Sequence, residues 1–153
     1  MFLKRHLIEP YEAIEQHELV IATFGQWPSF HDGEVHRIVL DRMSRSSSGS
    51  YIPTIELHVR GWIMTSQVTE NGFYKVEHDS VVRFLFEDIF NLELEGFNQQ
   101  NVLSSLNLTL IDEPQKKQTL HVELEHCYVF AAEFSARRAR VLGVHPYVKP
   151  PDA

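Results

Sequence analysis

Apolar residues fall on every second position in three separate stretches of this chain. Ile55, Leu57, Val59 and Ile63, with Gly61 between them, take odd positions. Leu106, Leu108 and Leu110 take even ones, and Leu120, Val122 and Leu124 alternate with His121, Glu123 and Glu125. Side chains along a strand point alternately to opposite faces, so this period predicts half-buried antiparallel strands and excludes an amphipathic helix there. Less regular runs of the same kind cover residues 34–42, 73–86, 91–96, 129–135 and 138–145, which brings the expectation to about eight strands. Asn71-Gly72 favours a tight hairpin, residues 112–117 form a polar turn, and the serine-rich run 44–50 is a loop. Parallel pairing needs crossover helices that the spacing does not supply, so a meander-like order is expected.

Helical spacing is confined to the start. Tyr11, Ile14, Leu19, Val20, Ile21 and Phe24 recur at three- and four-residue intervals, Pro10 suits a first turn and Gly25 a left-handed stop. The reading is one N-terminal helix over residues 10–24 with a break near His17. A short second helix is expected after Gly96, over residues 97–103, and residues 146–153 form a proline-rich tail expected to lie loose or extended. The expected class is α+β, mostly antiparallel β-sheet, in one domain spanning residues 1–153.

Charge excludes several functions. With 14 Lys and Arg against 21 Asp and Glu, the net charge of −7 repels phosphate backbones, and the only dense basic group is Arg137, Arg138 and Arg140. Nucleic acid is therefore not an expected partner. The single cysteine, Cys127, permits no intrachain disulfide and no multi-cysteine zinc site, which points to a cytoplasmic address. Residues 1–10 contain no long apolar run or small-residue cleavage site, and no stretch approaches the length of a membrane span, so neither leader nor membrane contact is expected.

His31, Asp32, Glu34 and His36 have the donor types of a zinc or iron site and could orient a hydrolytic water. Their spacing matches no metal motif, and an Asp before Gly is first a turn former, so no metal, cofactor or catalytic residue is expected. Cys127 follows His126, but strand neighbours face apart, so the thiol is expected to be buried and inert. Glu93 and Glu95 share one face of a strand opposite Leu92 and Leu94. With Glu123, Glu125, Asp88, Asp112 and Glu113 they are expected to form an acidic surface attractive to a basic protein. Among the large rings Trp27, Phe30, Trp62, Phe73 and Phe97, Trp62 shares a face with Glu56, His58 and Arg60 and is the expected exposed anchor for a partner.

Two further stretches belong together: Phe24-Gly25-Gln26-Trp27-Pro28-Ser29-Phe30-His31-Asp32-Gly33-Glu34-Val35, and Leu92-Glu93-Leu94-Glu95-Gly96-Phe97-Asn98-Gln99-Gln100-Asn101. With the Trp62-Ile63-Met64-Thr65 strand between them, the chain resembles the immunity protein 50 family of bacterial polymorphic-toxin antidotes over most of residues 20–145. The resemblance implies a cytoplasmic α+β domain that binds a protein toxin effector and blocks it, with no catalysis of its own. Trp27, Phe30, His31, Asp32, Glu34 and Asn98 occupy the matching motif, where they serve folding or binding. Two other readings stand beside it: a small metal-dependent hydrolase built on His31, Asp32, Glu34 and His36, and a homodimeric interaction domain that uses an exposed sheet edge.

Overall fold

The computed structural model describes residues 9–151. Residues 1–8 and 152–153, which include most of the segment read for a leader and the end of the predicted tail, lie outside the described residues. A 3₁₀ turn (Pro10–Ala13) and helix α1 (Glu18–Phe24) precede six strands: β1 (Glu34–Arg45), β2 (Tyr51–Val68), β3 (Tyr74–Glu95), β4 (Leu103–Ile111), β5 (Thr119–His126) and β6 (Ala131–Pro146). They form one sheet in the order β1-β2-β3-β6-β5-β4, with every pairing antiparallel.

The strand count is six rather than eight because two pairs of predicted strands are continuous. β3 runs through residues 73–86 and 91–96 alike. Asp88 and Asn91, at φ of 55° and 54°, bend it, and its register against β6 shifts between Phe90 and Glu93. A bulge of this kind disturbs the alternation without ending the strand. In β6 the interruption is only apparent. Ala136 is fully buried and continues the inner row of Ala132 and Phe134 with a side chain too small to mark the pattern.

A single meander is also corrected. Two three-stranded meanders, β1-β2-β3 and β4-β5-β6, meet where β3 pairs with β6, so the link from β3 to β4 crosses over. That link, residues 96–102, is irregular and not the predicted helix. Asn98 and Asn101 satisfy its backbone instead: the Asn98 N–H donates to Asn101 Oδ1 (2.8 Å), and the Asn101 amide donates to Asn98 O (2.8 Å) and Val35 O (3.2 Å). Side chains that bond the local backbone this way compete with helix.

The N-terminal helix is shorter than expected. From Ile14 the chain is extended, and Glu15 pairs with β6, donating to Ala139 O and accepting from the Val141 N–H, each at 2.9 Å. Gln16 then reverses it at φ 62°, and Gly25, left-handed at φ 79°, stops α1 as expected. Val20 and Phe24 of α1 join Ile14, Phe30, Leu57, Phe84, Phe86, Val122 and Phe134 in the core on the inner side of the sheet. At the other end of the chain the Tyr147 N–H donates to Asp79 O (2.9 Å), and the Arg60 guanidinium lies 3.6 Å from the centre of its ring.

Candidate functional site: a closure seam and an acidic groove

The Trp27–Glu34 stretch forms the seam that joins β1 to β4, the two edge strands of the sheet. Ser29 O accepts from the Leu106 N–H (3.2 Å), Asp32 N–H donates to Leu103 O (3.0 Å), and Leu103 N–H donates to Gly33 O (2.8 Å). Val35 N–H donates to Asn101 O (3.0 Å) and Glu34 bridges Val102, so the curled sheet closes on itself along this line. Phe30 fills the interior behind the seam at 1 % exposure, edge-on to Phe24, Trp27 and Phe84. Gly33 is required by close approach, because a Cβ there would stand 2.4 Å from Arg60 O and 2.9 Å from Phe30 O.

The four potential metal ligands do not gather around one point. His31 donates from Nδ1 to Ser104 O (2.8 Å), since a carbonyl can only accept, and its Nε2 is 3.5 Å from Asp32. His36 lies on the outer face against Tyr147, with ring centres 5.7 Å apart. Partial desolvation of this exposed side chain pushes the His36 imidazole below its ordinary range, Glu34 and Asp79 opposing the shift and Arg60 and His58 adding to it. Among the described residues, no three of His, Cys, Asp and Glu are grouped to hold a metal ion.

Around His36 the outer face of β1 and β2 is tied into a polar network. Arg60 grips Asp79 through two nitrogens (2.9 and 2.7 Å), which raises the guanidinium above its already high range, and it also lies 5.2 Å from the Trp62 ring centre. His58 donates to Glu56 (2.7 Å). Trp62 is thus half-buried, with one side against Arg60; it also lines a cleft of about 410 Å³ with Trp27, Pro28, Met64 and Asn107.

At the opposite end of the sheet the structure brings Glu93, Glu95, Glu123 and Glu125 into one groove of about 560 Å³. β6 runs along its floor, where Ala131 and Ala132 are small, while β3 and β5 raise the acidic walls. Sequence reasoning missed Glu133. Register places it directly between Glu93 and Glu123, so three carboxylates stand in one row across three strands. Like charges so paired repel, and the neighbours relieve them. His121 donates from Nε2 to Glu133 (2.6 Å) and accepts the Ser135 hydroxyl at Nδ1 (3.0 Å), and the Asn107 amide donates to Glu123 (2.9 Å). Hydrogen bonds from Ser105 (2.8 Å) and Asn107 (3.2 Å) hold the Glu125 carboxyl below the usual carboxylate range. The alternation of Glu133 between Ala132 and Phe134 was the available signal.

The other expected acids do not reach this groove. Asp88 pairs with Arg137 (3.3 Å), Glu113 with Lys116 (2.9 Å), and Arg140 of the basic cluster with Glu87 (3.6 Å). Cys127 is exposed, not buried as expected, because the β5–β6 turn carries it off the end of the sheet. Phe73 and Phe97 are exposed as well. No described helix is long and apolar enough to cross a membrane.

In comparison with known proteins, no curated protein and no solved structure matches the chain. Residues 16–147 match the family model described as Immunity protein 50, a span that contains the seam, the groove walls and all six strands up to Pro146. Over that span, most of its 153 residues, the chain belongs to the immunity protein 50 family.

Proposed function

We propose that this protein is a cytoplasmic immunity protein that binds a bacterial toxin effector domain in stoichiometric amount and blocks it, without catalysis of its own. Family membership supports an immunity role. The observation that carries the binding reading is the groove. Two acidic pairs some thirty positions apart in the sequence, Glu93 with Glu95 and Glu123 with Glu125, converge on one concave surface with Glu133 between them. A row of like charges so placed is complementary to a basic partner. The field it projects steers a basic surface toward it and raises the encounter rate. In this reading Trp62 supplies an aromatic anchor at a separate position, and the seam residues Trp27, Phe30, His31, Asp32, Glu34 and Asn98 serve the fold.

The test is capture of the tagged protein from a lysate of its native source at physiological salt, followed by mass spectrometry. The expected result is the C-terminal fragment of one large secreted protein in near-equal amount. Recovery of the bait alone, carrying stoichiometric metal, would overturn the proposal in favour of a hydrolase.

A further inference from the structure

The two edge strands of this sheet are protected very differently. β1 carries Arg37, Asp41, Arg42 and Arg45 and its register breaks twice, all of which discourage a further strand from pairing with it. β4 has none of these devices from Ser105 to Ile111. That stretch contains no charge, proline or glycine, and its register against β5 is unbroken. Among the described residues, the seam uses the outer edge of β4 only as far as the Leu106 N–H, which donates to Ser29 O. Backbone groups alternate in direction along a strand, so the N–H and C=O of Leu108 and Leu110 point to that same outer side.

Two clefts border the start of this edge, between Ser105 and Leu108. One, of about 410 Å³, lies between Trp62, Met64 and Pro28 on one side and Asn107 on the other; the second, of about 210 Å³, lies between Tyr11 and Leu108. Trp27 and Leu106 line both. Among the described residues the charge beside the edge is one-sided. Glu9 stands at the second cleft, and Glu123 and Glu125 lie on the adjacent strand, hydrogen-bonded to Asn107 and Ser105 of β4. The following turn sets Asp112 and Glu113 against Lys116 and Lys117 and adds no net charge. A second copy of this chain, with a net charge of −7, would bring the same acids to the same place.

We propose that the outer edge of β4 at residues 107–111 receives an extended strand of the partner protein, one that alternates apolar residues with Lys or Arg. Main-chain bonds at Leu108 and Leu110 supply the pairing, and the basic residues reach toward Glu123 and Glu125 two strand spacings away, roughly 10 Å. The identity of the partner rests on the immunity reading, but the edge is tested without a toxin.

The probe is a short synthetic peptide alternating Lys and Val, titrated into the full-length protein with amide exchange followed by NMR. The Leu108 and Leu110 amides should exchange at least about tenfold more slowly with peptide bound. A peptide N-methylated on its pairing edge, its Glu–Val counterpart, and the exposed variant Thr109→Lys should each weaken binding by about tenfold or more. Equal binding of the N-methylated peptide, or no binding of the Lys–Val peptide at about 1 mM, would overturn the proposal. Slow exchange of both amides in the free protein would overturn it too, with light scattering then separating a second copy from another part of this chain as the occupant. None of these failures touches the capture experiment, which reads the immunity role independently.

Discussion

His36 and Asn101 show how single side chains set the properties of this fold. Partial desolvation beside Tyr147 lowers the pKa of the otherwise exposed His36 from its ordinary 6.5, so between that value and the depressed one the unfolded chain binds the proton more than the native chain does. The contribution of His36 to stability is therefore present above the ordinary value and is lost as pH falls through it. Urea midpoints should decline from about pH 7 to about pH 5 less steeply in His36→Gln than in the parent. An identical slope would show that His36 plays no part. Asn101 is buried at 3 % exposure, and its side chain makes three hydrogen bonds, two to Asn98 within the crossover link and one to Val35 O of β1. Asn101→Ala leaves the Asn98 N–H and two carbonyls without that partner and should cost about 2–3 kcal/mol in equilibrium unfolding.

Between elements, the consequential contact is the seam that the Trp27–Glu34 stretch makes with β4. Phe30→Ala removes its buried ring and should cost about 3–5 kcal/mol, while Gly33→Ala forces a Cβ against the Arg60 carbonyl and should cost about 2 kcal/mol or more. Both losses are read by denaturant unfolding, and neither variant should weaken partner binding under conditions where it remains folded. A Phe30→Ala protein of parental stability would contradict the seam. Much of this level was legible in the sequence. The period-two rows of Leu57, Val122 and Leu124 and the Gly25 stop stand where they were expected, and the serine-rich loop does so in part, over residues 46–50, because Ser44 and Arg45 still pair as β1 with Ile52 and Tyr51. The bulge at Asp88 and Asn91 and the strand pairing of Glu15 did not show, because each depends on a partner distant in the chain, and the link after Gly96 did not because Asn98 and Asn101 bond the local backbone, which apolar periodicity does not encode.

For the whole molecule, the acidic groove accounts for how a chain of net charge −7 would find a basic partner quickly. Changing Glu93, Glu95, Glu123 and Glu125 together to Gln should slow association with the captured toxin domain by about tenfold at low salt and flatten its salt dependence, as stopped-flow mixing would read. An unchanged rate would remove steering from the account. Because Ser105 and Asn107 hold Glu125 ionised below the usual range, part of this advantage should survive mild acidification. Each acidic pair was visible from its own strand. Their convergence and the place of Glu133 in the row were not, since both follow from the β3-β6-β5 order; Asp88 was misassigned because its basic partner Arg137 lies on another strand, whereas Glu113 is neutralised by Lys116 three residues on in its own turn. The most direct measurement is a titration of the captured toxin domain's activity with this protein. The account predicts a linear loss that is complete at one-to-one and flat beyond, whereas toxin inactivated by far less than an equal amount of the protein, or left fully active in its excess, would contradict a stoichiometric blocker.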